Sequence, residues 1–529
     1  MTPAAGATPG FQDRARDVAA RLGGVAGWRA VAVAGLGGIA AAAALAPVYF
    51  LPGLIVGFAV LHLVLETAAA APRRLWAGFV RGWAFGFGYF LVSIYWMSFS
   101  MLVQAESYAW MMPFAIFGMP AFLALFAGLA GAAVARSPGG AGARLAALAV
   151  FWSLAEYARG HVLTGLPWNL VGQSLAGTAA GVQTAAWWGP YGLSLAALVL
   201  ALAPVAGLHA PRPRAAALAL AAAAAGWGAL YGVGAARLAL NPPADRSDVR
   251  VRVVQPAIPQ REKIDPARYW ENLERNAALS EAPVEPGART FVVWGENAAP
   301  LIAEEPEPRA YVSARLPEGA TLLAGAVRRV EREGRVRYTN GLAVVRDGAV
   351  LATYDKHHLV PFGEYLPLNG ALRALGLSQL APTGDDGLTP GPGPRTIDLG
   401  IAPFSPLICY ETIFPGAIHP PGERPEWIVV VTNDGWYGDT SGPRQHLDQA
   451  RMRAVERGLP VARAANTGVS ALIDAHGRYR FRIPLYEAGF RDAALPEAAR
   501  PTLYARFGDA GYALMLIALS GFAILRARG

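Results

Sequence analysis

Apolar residues run almost unbroken through the first 240 positions, in stretches long enough to cross about 30 Å of hydrocarbon. They predict seven membrane spans, at roughly 28–46, 51–70, 79–99, 110–134, 145–160, 186–206 and 214–236. The fifth is interrupted near its end by Glu156 and Arg159. An eighth, "GYALMLIALSGFAIL", covers roughly 510–525. Between them the pattern changes. "VRVRVVQ" (249–255) alternates with period two, and "RTFVVW", "TLLAGAV", "GLAVV", "VLATY", "SPLI" and "WIVVVT" follow as short β-rich runs. "PARYWENLERNAALSEA" and "GPRQHLDQARMRAVERG" read as helices among them. Alternating strands and helices imply an α/β domain with a sheet core. The Pro/Gly-rich stretch "PTGDDGLTPGPGPR" is a loop, and nothing repeats internally. The expected domains are 1–240, 241–505 and a C-terminal span with tail, 506–529.

Composition agrees: the chain is 54% hydrophobic and only 16% charged. Its mean hydropathy is +0.30. The first 24 residues are polar and basic, without the short apolar core of a removable signal peptide. The net charge of +8 raises the question of nucleic acid, but the arginines follow the loops instead. Arg14, Arg16 and Arg21 precede the first span, Arg73 and Arg74 follow the second, and Arg136 and Arg144 follow the fourth. Arg212 and Arg214 follow the sixth, and Arg526 and Arg528 the eighth, while "VYFLP" and "SMLVQAESYAW" hold no Lys or Arg. By the positive-inside rule both termini are cytoplasmic and 241–505 lies on the far side. The basic excess is a topology signal, not a nucleic-acid surface. Gly35, Gly38, Gly82 and Gly86 lie inside spans, where close helix packing explains them better than phosphate binding.

Three reactive side chains each close a predicted strand: Glu296 after "TFVVWG", Lys356 after "VLATYD" and Cys409 after "SPLI". Strand ends along one edge of a sheet converge on ligand sites. A thiolate attacks an acyl carbonyl, a carboxylate takes the proton, and an ammonium steadies the oxyanion. The ammonium also favours the thiolate. Each residue has a plainer reading: a lone cysteine is often a small core hydrophobe, and Glu or Lys at a strand end is often a solvated loop residue. Cys409 is the only cysteine, so no intramolecular disulfide, cysteine-rich zinc site or iron–sulfur cluster is available. His357 and His358 lack a third ligand and an HExxH pattern, so no metal is expected.

"VVWGEN", "YDKHHLVPFGEYLP" and "LICYETIFP" resemble the Glu–Lys–Cys signature of the nitrilase, or carbon–nitrogen hydrolase, superfamily. "VQPAIPQREK", "TNDGWYGDTSGPRQH" and "ARAANTGVSALID" extend the likeness. With its spans, the whole chain resembles the bacterial apolipoprotein N-acyltransferase family. The resemblance implies a multi-span helical membrane domain of about eight spans joined to an α-β-β-α sandwich. It implies Glu296 as general base, Lys356 as oxyanion-stabilising cation and Cys409 as nucleophile. It further implies Glu364 as the glutamate that orients the lysine, Tyr410 and Glu411 as supporting residues, and the Tyr410 N–H as an oxyanion donor.

The implied reaction passes an acyl chain from a membrane phospholipid, through a Cys409 thioester, to the α-amine of an S-diacylglyceryl apolipoprotein. It needs no cofactor, and a monomer in the bacterial inner membrane, with its catalytic domain periplasmic, is expected. Trp168 in "GLPWNLVGQS" is read as an interface anchor, with the lipid entrance as the alternative. Two positions depart from the family pattern: Gly295 stands where Trp-Pro-Glu is common, and Ile264 where a tryptophan is common. Two other functions compete. A tethered amidase would use the same triad on small soluble amides. A transporter would place ionisable residues deep in its spans, where only Glu66 and Glu156 are candidates, both toward span ends.

Overall fold

The computed structural model describes residues 17, 21, 24–210, 212–332, 334–367, 387–416 and 418–528. Most of the basic N-terminal segment and residues 382–386 of the Pro/Gly-rich loop lie outside them; 387–395 carry neither helix nor strand. The described residues within 1–101, 107–237 and 507–529 form one compact unit, and those within 102–106 and 238–506 a second.

The first unit is helical. Among the described residues, six helices are long and apolar enough to cross a membrane: Leu51–Ala69, Arg74–Ser93, Ala105–Arg136, Ala185–Leu208, Pro213–Leu240 and Ala510–Arg528. Gly27–Ala42 is apolar but shorter, with 16 residues. The helix Ala141–His161 covers the predicted fifth span and carries Arg144, Glu156 and Arg159. The predicted third span ends early: its helix stops at Ser93 and a 3-10 segment, Tyr95–Leu102, continues.

Glycine lets these helices touch backbone to backbone. A Cβ on Gly82 would lie 2.4 Å from the Ala127 carbonyl oxygen. Glu66 and Glu156 are both engaged. The first takes Arg144 through two bonds of 2.7 and 2.6 Å, and the second accepts the Val171 N–H at 2.8 Å and the Ser194 hydroxyl. Trp168 is buried, 6% exposed, with its ring against Trp96 and its carbonyl accepting from the buried Arg159 guanidinium. It packs inside the helical unit.

The second unit contains two sheets. The strands are β1 (Asp245–Gln255), β2 (Arg289–Trp294), β3 (Thr321–Arg332), β4 (Arg335–Arg346), β5 (Ala349–Asp355), β6 (Phe404–Ile408), β7 (Trp427–Thr432), β8 (Val461–Ala465), β9 (Ser470–Ile473), β10 (Tyr479–Ile483) and β11 (Gly489–Pro496). One sheet runs β11-β1-β2-β3-β4-β5 and the other β10-β9-β8-β7-β6. The runs β1-β2-β3 and β6-β7-β8 are parallel; antiparallel strands flank the first on both sides and the second beside β8. Pro406 lies in β6, an edge strand, where a missing N–H costs no ladder bond.

Alternation sorts the side chains. Val251, Val253, Phe291 and Val293 point between the sheets, against Ile408, Val429, Val431 and Ala462. Their neighbours Val292 and Trp294 turn outward onto Leu273 and Ala277 of the helix Tyr269–Ala278 and Val312 of Pro306–Ser313. On the opposite outer face, Leu407, Val430 and Val461 meet Leu447, Ala450 and Ala454 of the helix Ser441–Arg457. Each fully buried side chain of this size contributes about 1.5–3 kcal/mol. The layers are α-β-β-α. Both sheets are covered on both faces, so a central strand such as β7 is apolar along nearly its whole length.

Candidate active site

The site lies where the two sheets end together. Glu296 and Lys356 follow β2 and β5 of one sheet, whereas Cys409 follows β6 of the other. This corrects the expectation of a single sheet edge. Residues from two packed sheets can face each other across the layer, which neighbours along one edge cannot.

Glu296 is buried, and its backbone N–H donates to the Thr432 carbonyl at 3.2 Å, tying the end of β2 to that of β7. Asn340 of β4 donates from one amide nitrogen to Glu296 at 2.7 Å and to Glu364 at 2.8 Å. Lys356 is fully buried; its Nζ lies 2.9 Å from Glu364 and 3.9 Å from Glu296 Oε1. Glu364 also accepts the Val360 N–H at 2.7 Å. The Cys409 thiol is close enough to feel the Glu296 carboxylate, the Lys356 ammonium and the Thr432 side chain. Glu296 and Lys356 are buried, and Glu364 and Cys409 are partly exposed.

Glu411 locks the turn. It accepts backbone N–H groups of His357 (2.8 Å), His358 (3.2 Å) and Ile408 (2.8 Å), and the Tyr354 hydroxyl at 3.0 Å. It therefore joins the chain after Lys356 to the chain before Cys409, a positioning role. Tyr410 packs its ring against His358 and Phe414, with centroids 5.6 and 5.1 Å away.

Burial sets the electrostatics. It raises the Glu296 carboxyl above its ordinary range, with help from the Glu364 charge and against Lys356 and Asn340. Burial works against the Lys356 ammonium, yet Glu364, Glu296 and Cys409 together hold its pKa above the ordinary lysine value. Burial followed by the Glu296 charge pushes the Cys409 thiol far up, and Lys356 offsets this only in part. Lys356 lowers the thiol pKa as expected, but burial and the Glu296 charge outweigh it. Glu411 stays ionised below the usual range, because contacts from His357 and the Ile408 N–H overcome its burial.

Four contributors were given no role in the sequence reading. Asn340 bridges the two glutamates, and the Thr432 carbonyl accepts the Glu296 N–H. Lys263 donates to the Asn297 carbonyl at 2.9 Å, and burial brings its pKa down to about 8. Gly325, in the middle of β3, is the fourth: a Cβ there would meet the Gly295 oxygen at 2.4 Å and the Glu296 Cα at 2.6 Å. A glycine inside a strand marks such a close approach. Gly325→Ala is expected to displace Glu296 and lower turnover on the order of 100-fold while the chain still inserts and folds. Turnover close to wild type in a purified variant would show that the 295–297 segment yields freely. The departure at Gly295 has a related setting, since a Cβ there would sit 3.1 Å from the Thr432 oxygen. Ile264 is partly exposed beside Lys263.

An α/β sandwich with a buried Glu and Lys and a partly buried Cys at its strand ends, in a chain that also carries a bundle of apolar helices, defines a membrane-borne protein of the carbon–nitrogen hydrolase class. The carbon-nitrogen hydrolase family matches residues 250–501, and the apolipoprotein N-acyltransferase N-terminal domain matches 37–203. The chain is 38% identical over 518 residues to apolipoprotein N-acyltransferase of Rhodopseudomonas palustris, covering 95% of this chain and 96% of that one. It is 39% identical over 516 residues to that of Bradyrhizobium diazoefficiens, with 95% and 96% covered. A solved carbon–nitrogen hydrolase superfamily protein from Xanthomonas campestris is similar at 19% identity and a TM-score of 0.32, over 50% of this chain and 96% of that one. The chain belongs to the apolipoprotein N-acyltransferase family of nitrilase-like transmembrane acyltransferases.

Proposed function

We propose that the protein transfers an acyl chain from a membrane phospholipid to the α-amine of the N-terminal S-diacylglyceryl cysteine of an apolipoprotein, by way of a thioester on Cys409. The observation that carries this is the cluster of thiol, raised carboxyl and buried ammonium just described, in a chain of this family. In the first half-reaction the sulfur attacks the ester carbonyl while Glu296 takes the thiol proton. Lys356 and the Tyr410 N–H bear the oxyanion. The intermediate collapses, the lysophospholipid oxygen takes the proton from Glu296, and the acyl group stays on sulfur.

In the second half-reaction the acceptor ammonium must first lose a proton to solvent water to become a nucleophile. Glu296 receives a proton again as the amine attacks, and returns it to the departing sulfur. An amide forms and the thiol is restored. A carboxyl raised by burial suits both transfers near neutral pH. Glu364 charge-balances and orients Lys356, and Tyr410 and Glu411 support the nucleophile turn.

The reading includes eight spans, with Gly27–Ala42 and Ala141–His161 counted beside the six long apolar helices. Residues 1–240 are the membrane domain, 241–505 the catalytic domain outside the bacterial cytoplasmic membrane, and 506–529 the last span and its tail. Both termini are then cytoplasmic, as the arginine-rich loops require. The protein acts as a monomer without a cofactor. Purified protein incubated with phospholipid and a diacylated lipopeptide is expected to raise the peptide mass by one acyl group. Free fatty acid released with no change in peptide mass would make the enzyme a hydrolase instead.

A further inference from the structure

Cys409 sits at φ 48°, in the left-handed region that a side-chain-bearing residue enters only when its surroundings hold it there. The strand β6 ends at Ile408, and Cys409 opens the 3-10 turn Cys409–Ile413. One restraint reaches the turn from a different element. His446, 2% exposed in the helix Ser441–Arg457, places Nε2 3.1 Å from the Cys409 carbonyl oxygen. Its other ring nitrogen, Nδ1, lies 2.8 Å from Asp434 Oδ1.

Asp434 is held in turn. The Arg463 guanidinium of β8 donates to Oδ2 at 2.6 Å, and the Thr432 hydroxyl of β7 to Oδ1 at 3.3 Å. Burial alone would raise this carboxyl, but Arg463 and His446 bring it down to about 2, so it remains a carboxylate. Both imidazole nitrogens thus face oxygen atoms, and an Nε2–H donates to the Cys409 carbonyl. Burial, the largest influence, and Arg463 hold the ring's pKa below the ordinary histidine value, against Asp434 and the Cys409 carbonyl.

The peptide joining Cys409 to Tyr410 is planar and trans, so its carbonyl and its N–H point in opposite directions. Whatever fixes the Cys409 carbonyl therefore also aims the Tyr410 N–H. We infer that His446 is a positioning residue for acyl transfer: by gripping the Cys409 carbonyl it sets the 409–410 peptide plane and directs the Tyr410 N–H at the oxyanion. Asp434 and Arg463 anchor the ring from behind. The inference rests on the reading of Cys409 as nucleophile, and adds a residue that touches neither substrate nor sulfur.

The test separates two reactions of the same sulfur. Acylation by phospholipid passes through an oxyanion, whereas alkylation by iodoacetamide displaces a halide at a saturated carbon and needs none. His446→Asn keeps a donor for Asp434 and loses the reach to Cys409; His446→Gln can place an amide N–H near the former Nε2. His446→Asn is expected to slow single-turnover acylation on the order of 100-fold, the effect of losing one oxyanion donor. Its alkylation rate and KM should stay within about threefold of wild type, and His446→Gln should recover most of the acylation.

Equal loss of acylation and alkylation in both variants would make His446 a core-filling residue and overturn the inference. So would normal acylation in His446→Asn, or failure of both variants to yield monodisperse protein. A wild type that alkylates at Cys409 yet never acylates overturns the functional reading itself, and the inference with it.

Discussion

Replacing Cys409 by serine is expected to abolish the covalent acyl-enzyme and to lower transfer on the order of 10⁴-fold or more, the scale on which lost nucleophiles are measured. The physical reason lies in the proton. Burial and the Glu296 charge already hold the thiol pKa far above its ordinary value, so Glu296 is needed even to strip sulfur. A hydroxyl is a weaker acid still, and the same carboxylate cannot remove its proton as the attack begins. Sulfur and oxygen differ little in volume, so the variant should fold and insert as the wild type does. A phospholipid with a radiolabelled acyl chain supplies the measurement. Label retained covalently on Cys409→Ser after denaturation would place the nucleophile elsewhere.

Glu296→Gln should slow both half-reactions, by roughly 10²–10⁴-fold for loss of a general base. The amide is isosteric and can still accept from Asn340, so the cluster of Lys356 and Glu364 should persist. The pH dependence makes the role specific. The base works only when ionised, and burial has raised its pKa. Wild-type acylation should therefore rise with pH along an acid limb displaced above the ordinary carboxylate range. Because Glu296, Lys356 and Cys409 influence one another's ionisation, the limb belongs to the cluster rather than to one residue. Glu296→Gln should lack that limb and show a low, flat rate over the same window. Near-normal turnover, or an unchanged acid limb, would remove Glu296 as the base.

Much of the architecture was written locally. Long apolar runs have few ways to be folded other than as membrane-length helices. Runs such as "WIVVVT" are too short for helices and too apolar for an exposed edge, and they became covered strands. Strand ends were legible as well, which is why Glu296, Lys356 and Cys409 stood out before any coordinates. Resemblance supplied what spacing could not, the pairing of these three residues with Glu364 and Glu411. The edges of elements were less legible. The helix predicted to reach position 99 stops at Ser93, and β3 and β4 extend several residues beyond their apolar cores, as the long hairpin Thr321–Arg346.

Linear order by itself determined the membrane helices, the α/β catalytic segment and the identity of the reactive side chains, because hydropathy period and strand termini are properties of neighbours along the chain. Only the tertiary structure decided that Glu296 and Cys409 come from different sheets, that Asn340 spans two glutamates, and that His446 reaches the Cys409 carbonyl. These pairs lie 24 to 113 residues apart, and their energies depend on burial, which exists only once the layers close. The setting of the sulfur shows the difference most clearly: the motifs announce a lysine that lowers the thiol pKa, while the fold adds burial and the Glu296 charge, which outweigh it.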